Sequence, residues 1–134
     1  MRRLTLPLLT LLAVAAGPTR AETPAQGKAA DQVAPGIVDA AAARRLVADG
    51  IKVVDVRTPD EYAAGHVPGA VNIPYDQMAQ RYAELGPTTT PLLIYCHSGR
   101  RSGIAVQALE KKGFTRLYDL QAYDRWVQSE PKGK

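Results

Sequence analysis

The fold of this chain is indicated most clearly by residues 91–102, which read Pro91-Leu92-Leu93-Ile94-Tyr95-Cys96-His97-Ser98-Gly99-Arg100-Arg101-Ser102. Its apolar first part predicts a buried strand, and the helical pattern of residues 102–112 predicts a helix directly after the polar part. Backbone N–H groups at the start of a helix are unpaired and carry partial positive charge. A thiol held there loses its proton more easily, and the thiolate is the nucleophile. The segment therefore predicts a strand, a tight polar loop and a helix, with Cys96 at the end of the strand.

Cys96 is the only cysteine of the chain. A lone cysteine is most often a small buried hydrophobe without chemistry. The loop that follows argues against that interpretation, because His97, Arg100 and Arg101 add positive charge or hydrogen-bond donors beside the thiol. We therefore expect Cys96 to be a catalytic nucleophile that attacks an anionic substrate. One cysteine and two histidines lack the spacing of zinc ligands, so neither a metal nor another cofactor is expected.

Strand and helix patterns alternate along the chain, and this alternation predicts an α/β fold. Strands are predicted at 36–38, 51–56, 70–73, 92–95 and 117–120, and helices at 40–49, 59–64, 76–85, 102–112 and 123–129. Asp39 is the predicted N-cap of the first of these helices. Such alternation is typical of a central parallel sheet, here of about five strands, with helices on both faces. Ligands of such sheets bind outside the carboxyl ends of the strands, where Cys96 is expected to lie.

Three segments carry a resemblance to a known family. They are residues 53–62 (VVDVRTPDEY), 65–74 (GHVPGAVNIP) and 95–102 (YCHSGRRS). In order, they match the pattern Asp-x-Arg, Glu-Tyr/Phe, Gly-His-x-x-Gly-Ala-x-Asn-x-Pro and Cys-x-x-Gly-x-Arg. Over about residues 37–126 the chain thus resembles the rhodanese family of sulfurtransferases. The resemblance implies a rhodanese-like three-layer fold and a thiosulfate sulfurtransferase activity that needs no cofactor.

The resemblance also implies a role for each residue of the loop. Cys96 would carry the transferred sulfur as a persulfide after attack on thiosulfate, and a thiol or cyanide would accept it. Donor binding and persulfide stabilisation would fall to the residues that follow, which are His97, Ser98, Gly99, Arg100 and Arg101. A redox or sulfur-carrier protein is a further expected partner, and the protein is expected to be a monomer.

Loop length separates sulfur transfer from related chemistries. Arg101 is the fifth residue after Cys96, whereas related cysteine phosphatases and arsenate reductases place their arginine one position later, here Ser102. A shorter loop forms a smaller nest of N–H groups, which suits one sulfur atom better than a phosphate. Sulfur transfer is therefore favoured. A non-enzymatic persulfide carrier or a protein-interaction module of the same fold remains the alternative.

Four further residues of the motifs are interpreted as supporting ones. We expect an Arg57–Glu61 ion pair to pin the loop after the second strand. Asp55 is expected to cap the short helix that follows, and His66 to hydrogen-bond the turn of residues 65–69. Residues 120–126 (LQAYDRW) are one residue shorter than the family pattern, which has a Gly-Gly pair there. This difference concerns the wall of the expected pocket.

The first residues predict export. Arg2-Arg3, an apolar run over 4–16 and small residues up to Ala21 are typical of a signal peptide of residues 1–21, too short to span a bilayer. Its cleavage would leave a periplasmic or secreted protein without a stable membrane anchor. It would also reduce the basic residues from 17 to 14, against 13 acidic ones, so that the net charge falls from +4 to +1. Such a domain is not expected to bind nucleic acid.

The remaining chain is divided into a flexible lead-in of residues 22–35, a domain of residues 36–129 and a tail of residues 130–134.

Overall fold

The computed structural model describes residues 28–133, which form a five-stranded parallel sheet between two layers of helices. The sheet order is β1-β5-β4-β2-β3. The strands are β1 (Gly36–Ile37), β2 (Lys52–Asp55), β3 (Val71–Asn72), β4 (Leu92–Cys96) and β5 (Leu117–Ala122). The helices are α1 (Lys28–Gln32), α2 (Ala40–Ala48), α3 (Pro59–Ala64), α4 (Met78–Arg81), α5 (Arg100–Lys111) and α6 (Tyr123–Gln128). The predicted three-layer α/β fold is confirmed.

Each face of the sheet has its own apolar core. On one face, α1, α2 and α6 contribute buried side chains that include Ala29, Leu46 and Trp126. On the other face, α4 and α5 contribute Met78 and Leu109. Side chains of successive residues in a strand point to opposite faces. All five side chains of β4 are buried, so this central strand belongs to both cores and fixes the position of its last residue, Cys96.

Local signals explain where two of the helices begin. The Asp39 side chain accepts a hydrogen bond from the Ala42 N–H at 2.7 Å, as the sequence predicts for an N-cap. At α3, the Thr58 side chain accepts from the Glu61 N–H and the Glu61 side chain accepts from the Thr58 N–H, with Pro59 at the first helical position. The segment 76–85 is not one helix, because α4 is flanked by two 3₁₀ turns, Tyr75–Gln77 and Tyr82–Leu85.

Helix α1 corrects the expectation of a flexible lead-in for residues 28–35, whereas residues 22–27 lie outside the described residues. The Ala29 N–H donates to Asp49 Oδ2 at 2.7 Å, and the Tyr118 hydroxyl donates to the Ala30 carbonyl oxygen at 2.6 Å. Ala29 and Ala30 are both buried. Five residues are too few to show a hydrophobic period, and tertiary contacts hold this helix instead. The predicted signal peptide of residues 1–21 lies outside the described residues, and no described helix is long and apolar enough to span a bilayer.

Candidate active site

The Cys96 side chain lies at the carboxyl end of β4 and is 0% exposed. Its Sγ atom accepts a hydrogen bond from the Gly99 N–H at 2.9 Å. The sulfur packs in the apolar core that also contains Val56 and Ala105. A thiol at the end of the strand, with a backbone N–H donor at the start of the helix, is the arrangement that the sequence predicts. Its complete burial is a finding of the structure.

The loop after Cys96 is shorter than expected, because α5 begins at Arg100 rather than at Ser102. Gly99 is the N-cap of α5 and has a φ of 105°, a left-handed conformation that glycine adopts at no steric cost. The N–H groups of the first turn of α5 have no partner within the helix and point toward the loop. Cys96 is therefore next to the positive end of a twelve-residue helix.

The two loop arginines have different environments. Arg101 donates two hydrogen bonds to Glu61, from Nη1 to Oε1 at 2.8 Å and from Nη2 to Oε2 at 3.0 Å. These bonds from Arg101 are the main reason that the pKa of Glu61 falls to about 2. Arg100 is exposed and makes no ion pair within residues 28–133, and His97 and Ser98 are exposed beside it. Arg100 is thus a cation of the loop whose charge no acidic side chain of the described residues neutralises.

The expected Arg57–Glu61 pair is wrong, because Arg57 is bound to Asp55 instead. Arg57 Nη2 donates to Asp55 Oδ2 at 2.6 Å and to the Gly65 carbonyl oxygen at 2.7 Å. The Arg57 guanidinium also lies 4.5 Å from the centre of the Tyr123 ring. Arg57 and Asp55 are both buried, and a buried charge without a partner is strongly destabilising. Arg57 therefore pairs with Asp55 and not with the more exposed Glu61.

Asp55 is also not the cap of α3, since Thr58 fills that position. The Tyr95 hydroxyl donates to Asp55 Oδ2 at 2.7 Å and accepts from the Val67 N–H at 3.0 Å. Burial and the hydrogen bond with Asp55 raise the pKa of Tyr95, so its hydroxyl stays protonated. Asp55 therefore joins the ends of β2 and β4 on the sheet face opposite to Cys96.

His66 does not hydrogen-bond the turn of residues 65–69 as expected. Its Nδ1 atom lies 2.8 Å from the Tyr62 carbonyl oxygen in the last turn of α3. Its ring stacks on the Tyr62 ring with 3.8 Å between the centroids. The turn is closed by the backbone, with the Ala70 N–H donating to the Val67 carbonyl oxygen at 3.0 Å. Stacking on the aromatic ring and the nearer carbonyl together hold the imidazole away from the turn.

Three residues beside the loop were not among the predicted site residues. Ser102 is buried, and its hydroxyl donates to the Gly99 carbonyl oxygen at 3.0 Å. Asp119 is 7% exposed and accepts from the Gln121 N–H at 2.8 Å. Burial raises the pKa of the Asp119 carboxyl. The only sequence signal for this region is the shortened run 120–126, which identifies the pocket wall but not these contacts. No cluster of potential metal ligands occurs within residues 28–133.

Comparison with known protein families matches residues 39–129 to the rhodanese-like domain. Two relatives come from Bacillus subtilis (strain 168). The uncharacterized protein YqhL is 42% identical over 76 residues, 56% of this chain and 60% of that protein. YrkF, whose name marks it as a proposed sulfur carrier, is 36% identical over 72 residues, 54% of this chain and 38% of that protein.

A third relative is the thiosulfate sulfurtransferase PspE of Escherichia coli (strain K12), 38% identical over 65 residues, 48% of this chain and 62% of that protein. The matches thus span 38% to 62% of the length of these three relatives. Among solved structures, the human single-domain sulfurtransferase TSTD1 superimposes with a TM-score of 0.65 and 27% identity. That match covers 74% of this chain and 99% of the human one.

Proposed function

This chain belongs to the family of rhodanese-like domains, and we propose that it transfers sulfane sulfur through a persulfide on Cys96. The donor is thiosulfate or a related anion, and the acceptor is cyanide or a thiol. The observation that carries the proposal is the 2.9 Å hydrogen bond from the Gly99 N–H to Cys96 Sγ at the start of α5. Named relatives with thiosulfate sulfurtransferase or sulfurtransferase activity support it.

In the first step, the Cys96 thiolate attacks the outer sulfur of thiosulfate. A new sulfur–sulfur bond forms to Cys96, the sulfur–sulfur bond of thiosulfate breaks, and sulfite leaves with the electron pair. One negative charge thereby stays on the terminal sulfur of the persulfide. Backbone N–H groups of residues 97–101 stabilise that charge, in the manner of an oxyanion hole. Splitting the transfer into two displacements is ordinary covalent catalysis.

The charges around the loop favour a dianionic donor. Arg101 is balanced by Glu61, so its guanidinium raises the local potential less than a free cation does. Arg100 is exposed and unpaired within the described residues, so it is the side chain that attracts the incoming anion. Together with the positive end of α5, it supplies the charge that steers thiosulfate to Cys96.

In the second step, the acceptor attacks the terminal sulfur of the persulfide and the Cys96 thiolate leaves. Cyanide becomes thiocyanate, and a thiolate becomes a persulfide. No net oxidation occurs, because the sulfane sulfur passes from one nucleophile to another. The loop has only three residues between Cys96 and α5, which suits a nest for one sulfur atom rather than for a tetrahedral phosphate.

A persulfide carrier is the second candidate. It is supported by the similarity to YrkF, whose name marks it as a proposed sulfur carrier. A carrier would accept sulfur once and pass it only to a partner protein. An enzyme would turn over repeatedly with small acceptors.

A thiosulfate:cyanide assay tests the proposal. We expect thiocyanate production by the wild type in many turnovers, none by Cys96→Ser, and no useful hydrolysis of an aryl phosphate. Glu110→Gln, which changes an exposed side chain near the far end of α5, is the matched control and should retain activity. Thiocyanate in at most one equivalent per protein would support the carrier instead. Aryl phosphate hydrolysis faster than sulfur transfer, or equal turnover by Cys96→Ser, would contradict the proposal.

A further inference from the structure

The Gly99 peptide is held on three sides. Its N–H donates to Cys96 Sγ at 2.9 Å, and its carbonyl oxygen accepts from the Ser102 hydroxyl at 3.0 Å. A Cβ atom placed on Gly99 would lie 3.2 Å from Cβ of Gln121, so the Gln121 side chain covers this glycine closely. The orientation of the donor to the sulfur therefore depends on residues outside the loop.

Gln121 has an unusual backbone conformation. Its φ of 72° makes it the one non-glycine residue with a positive φ within residues 28–133. Residues other than glycine are strained in this region, and such strain persists only where the surroundings enforce it. The register of β4 against β5 shifts at this place, with Ile94 opposite Asp119 and Tyr95 opposite Gln121. The irregular β-strand leaves Leu120 as an extra residue and turns Gln121 toward the loop.

Asp119 holds the strained backbone of Gln121. Its Oδ1 atom accepts from the Gln121 N–H at 2.8 Å. Asp119 is 7% exposed, so this hydrogen bond is sheltered from water. The contacts form a series that runs from Asp119 to Gln121, from Gln121 to Gly99, and from Gly99 to Cys96 Sγ.

We propose that Asp119 and Gln121 are positioning residues, which hold Gly99 so that its N–H points at the sulfur on Cys96. The expected effect on sulfur transfer rests on the persulfide chemistry proposed above. The position of the Gly99 N–H, however, affects any reaction of the Cys96 thiolate. Asp119 fixes the strained Gln121 backbone, and Gln121 packs on Gly99. Without this support the Gly99 N–H can turn away from Cys96, and the negative sulfur then loses one hydrogen-bond donor.

The test compares variants by the rate of Cys96 alkylation with iodoacetamide at one fixed pH, which needs no sulfur donor. Gln121→Gly removes the covering side chain and relieves the left-handed strain, so its resistance to urea should stay equal or increase. Its alkylation rate should nevertheless fall about tenfold, the effect of losing one hydrogen bond to the reacting sulfur. A residue with a merely structural role would lose stability and reactivity together.

Asp119 provides the rescue experiment. Asp119→Asn keeps an oxygen that accepts from the Gln121 N–H, so its alkylation rate should stay within about threefold of the wild type. Asp119→Ala removes that acceptor and should match the loss in Gln121→Gly. Asp124→Ala, an exposed acid on α6 close in sequence, is the control and should leave the rate unchanged.

Steady-state kinetics add a second readout. The variants should lower kcat for thiosulfate with little change in KM, because the donor acts on the sulfur and not on the docking charge. Unchanged alkylation in Gln121→Gly, or equal losses in Asp119→Asn and Asp119→Ala, would overturn the proposal. If the wild type forms no persulfide but the alkylation rates follow this pattern, the positioning role of Asp119 and Gln121 is upheld and the proposed sulfur chemistry fails.

Discussion

Replacing Glu61 by glutamine removes the ion pair that connects α3 to the first turn of α5. In the wild type, two hydrogen bonds of 2.8 and 3.0 Å join Glu61 to Arg101. The side chains of Arg101 and Glu61 are 21% and 32% exposed, so water screens the pair only in part. Glutamine has a similar shape and keeps one acceptor oxygen, so the change removes charge with little loss of packing.

The magnitude follows from the pKa of Glu61. A value of about 2 instead of the ordinary 4.5 corresponds to about 3 kcal/mol, which is an upper limit for this partly exposed pair. Exposed pairs contribute about 0.2–1 kcal/mol, and the two-bond geometry places this one slightly above that range. We therefore expect Glu61→Gln to reduce the free energy of unfolding by about 1–1.5 kcal/mol at neutral pH.

The pH dependence has a definite sign. Because folding lowers the pKa of Glu61, the pair stabilises the protein above pH 4.5 and loses that contribution as the pH falls toward 2. Urea unfolding followed by circular dichroism at neutral pH and near pH 2.5 measures it, with Glu110→Gln, an exposed glutamate of α5, as control. The difference in the free energy of unfolding between the wild type and Glu61→Gln should shrink at the acid pH. An equal difference at both pH values, or none at neutral pH, would show that the charge of Glu61 does not stabilise the fold.

Insertion of one glycine between Gly99 and Arg100 should reduce sulfur transfer at least about 10²–10³-fold in the thiosulfate:cyanide assay, because it displaces the N–H donors of the loop; a smaller loss would contradict the importance of loop length. Tyr95→Phe leaves the buried Val67 N–H without its 3.0 Å acceptor and should reduce the free energy of unfolding by about 2 kcal/mol in urea; unchanged stability would show that the network after β2 is dispensable. N-terminal sequencing of the protein expressed with its first residues should find cleavage after residue 21; a soluble cytoplasmic protein that keeps residue 1 would contradict export.

The features that the sequence predicted correctly are local ones. The strand up to Cys96, the helix that follows the polar loop and the Asp39 cap each depend on residues within a few positions of each other. Parallel topology followed from the alternation of strands and helices. These signals were enough to locate the thiol at the carboxyl edge of the sheet.

The wrong predictions concern partners that are distant in sequence. Arg57 and Glu61 are one helical turn apart, which suggested a pair, but Glu61 binds Arg101, forty positions later. Arg57 pairs with Asp55 and not with Glu61 because Arg57 and Asp55 are buried together. The burial of a charged side chain cannot be inferred from its neighbours in sequence. The left-handed Gln121 was likewise hidden, because nothing in a glutamine indicates a positive φ.

The persulfide on Cys96 is tested most directly by the intact mass of the protein after incubation with thiosulfate and removal of the excess reagent. The wild type should gain the mass of one sulfur atom, Cys96→Ser should gain none, and cyanide should then remove the added mass with formation of thiocyanate. An unchanged wild-type mass while sulfite is released, or an equal gain in Cys96→Ser, would show that Cys96 does not carry the sulfur.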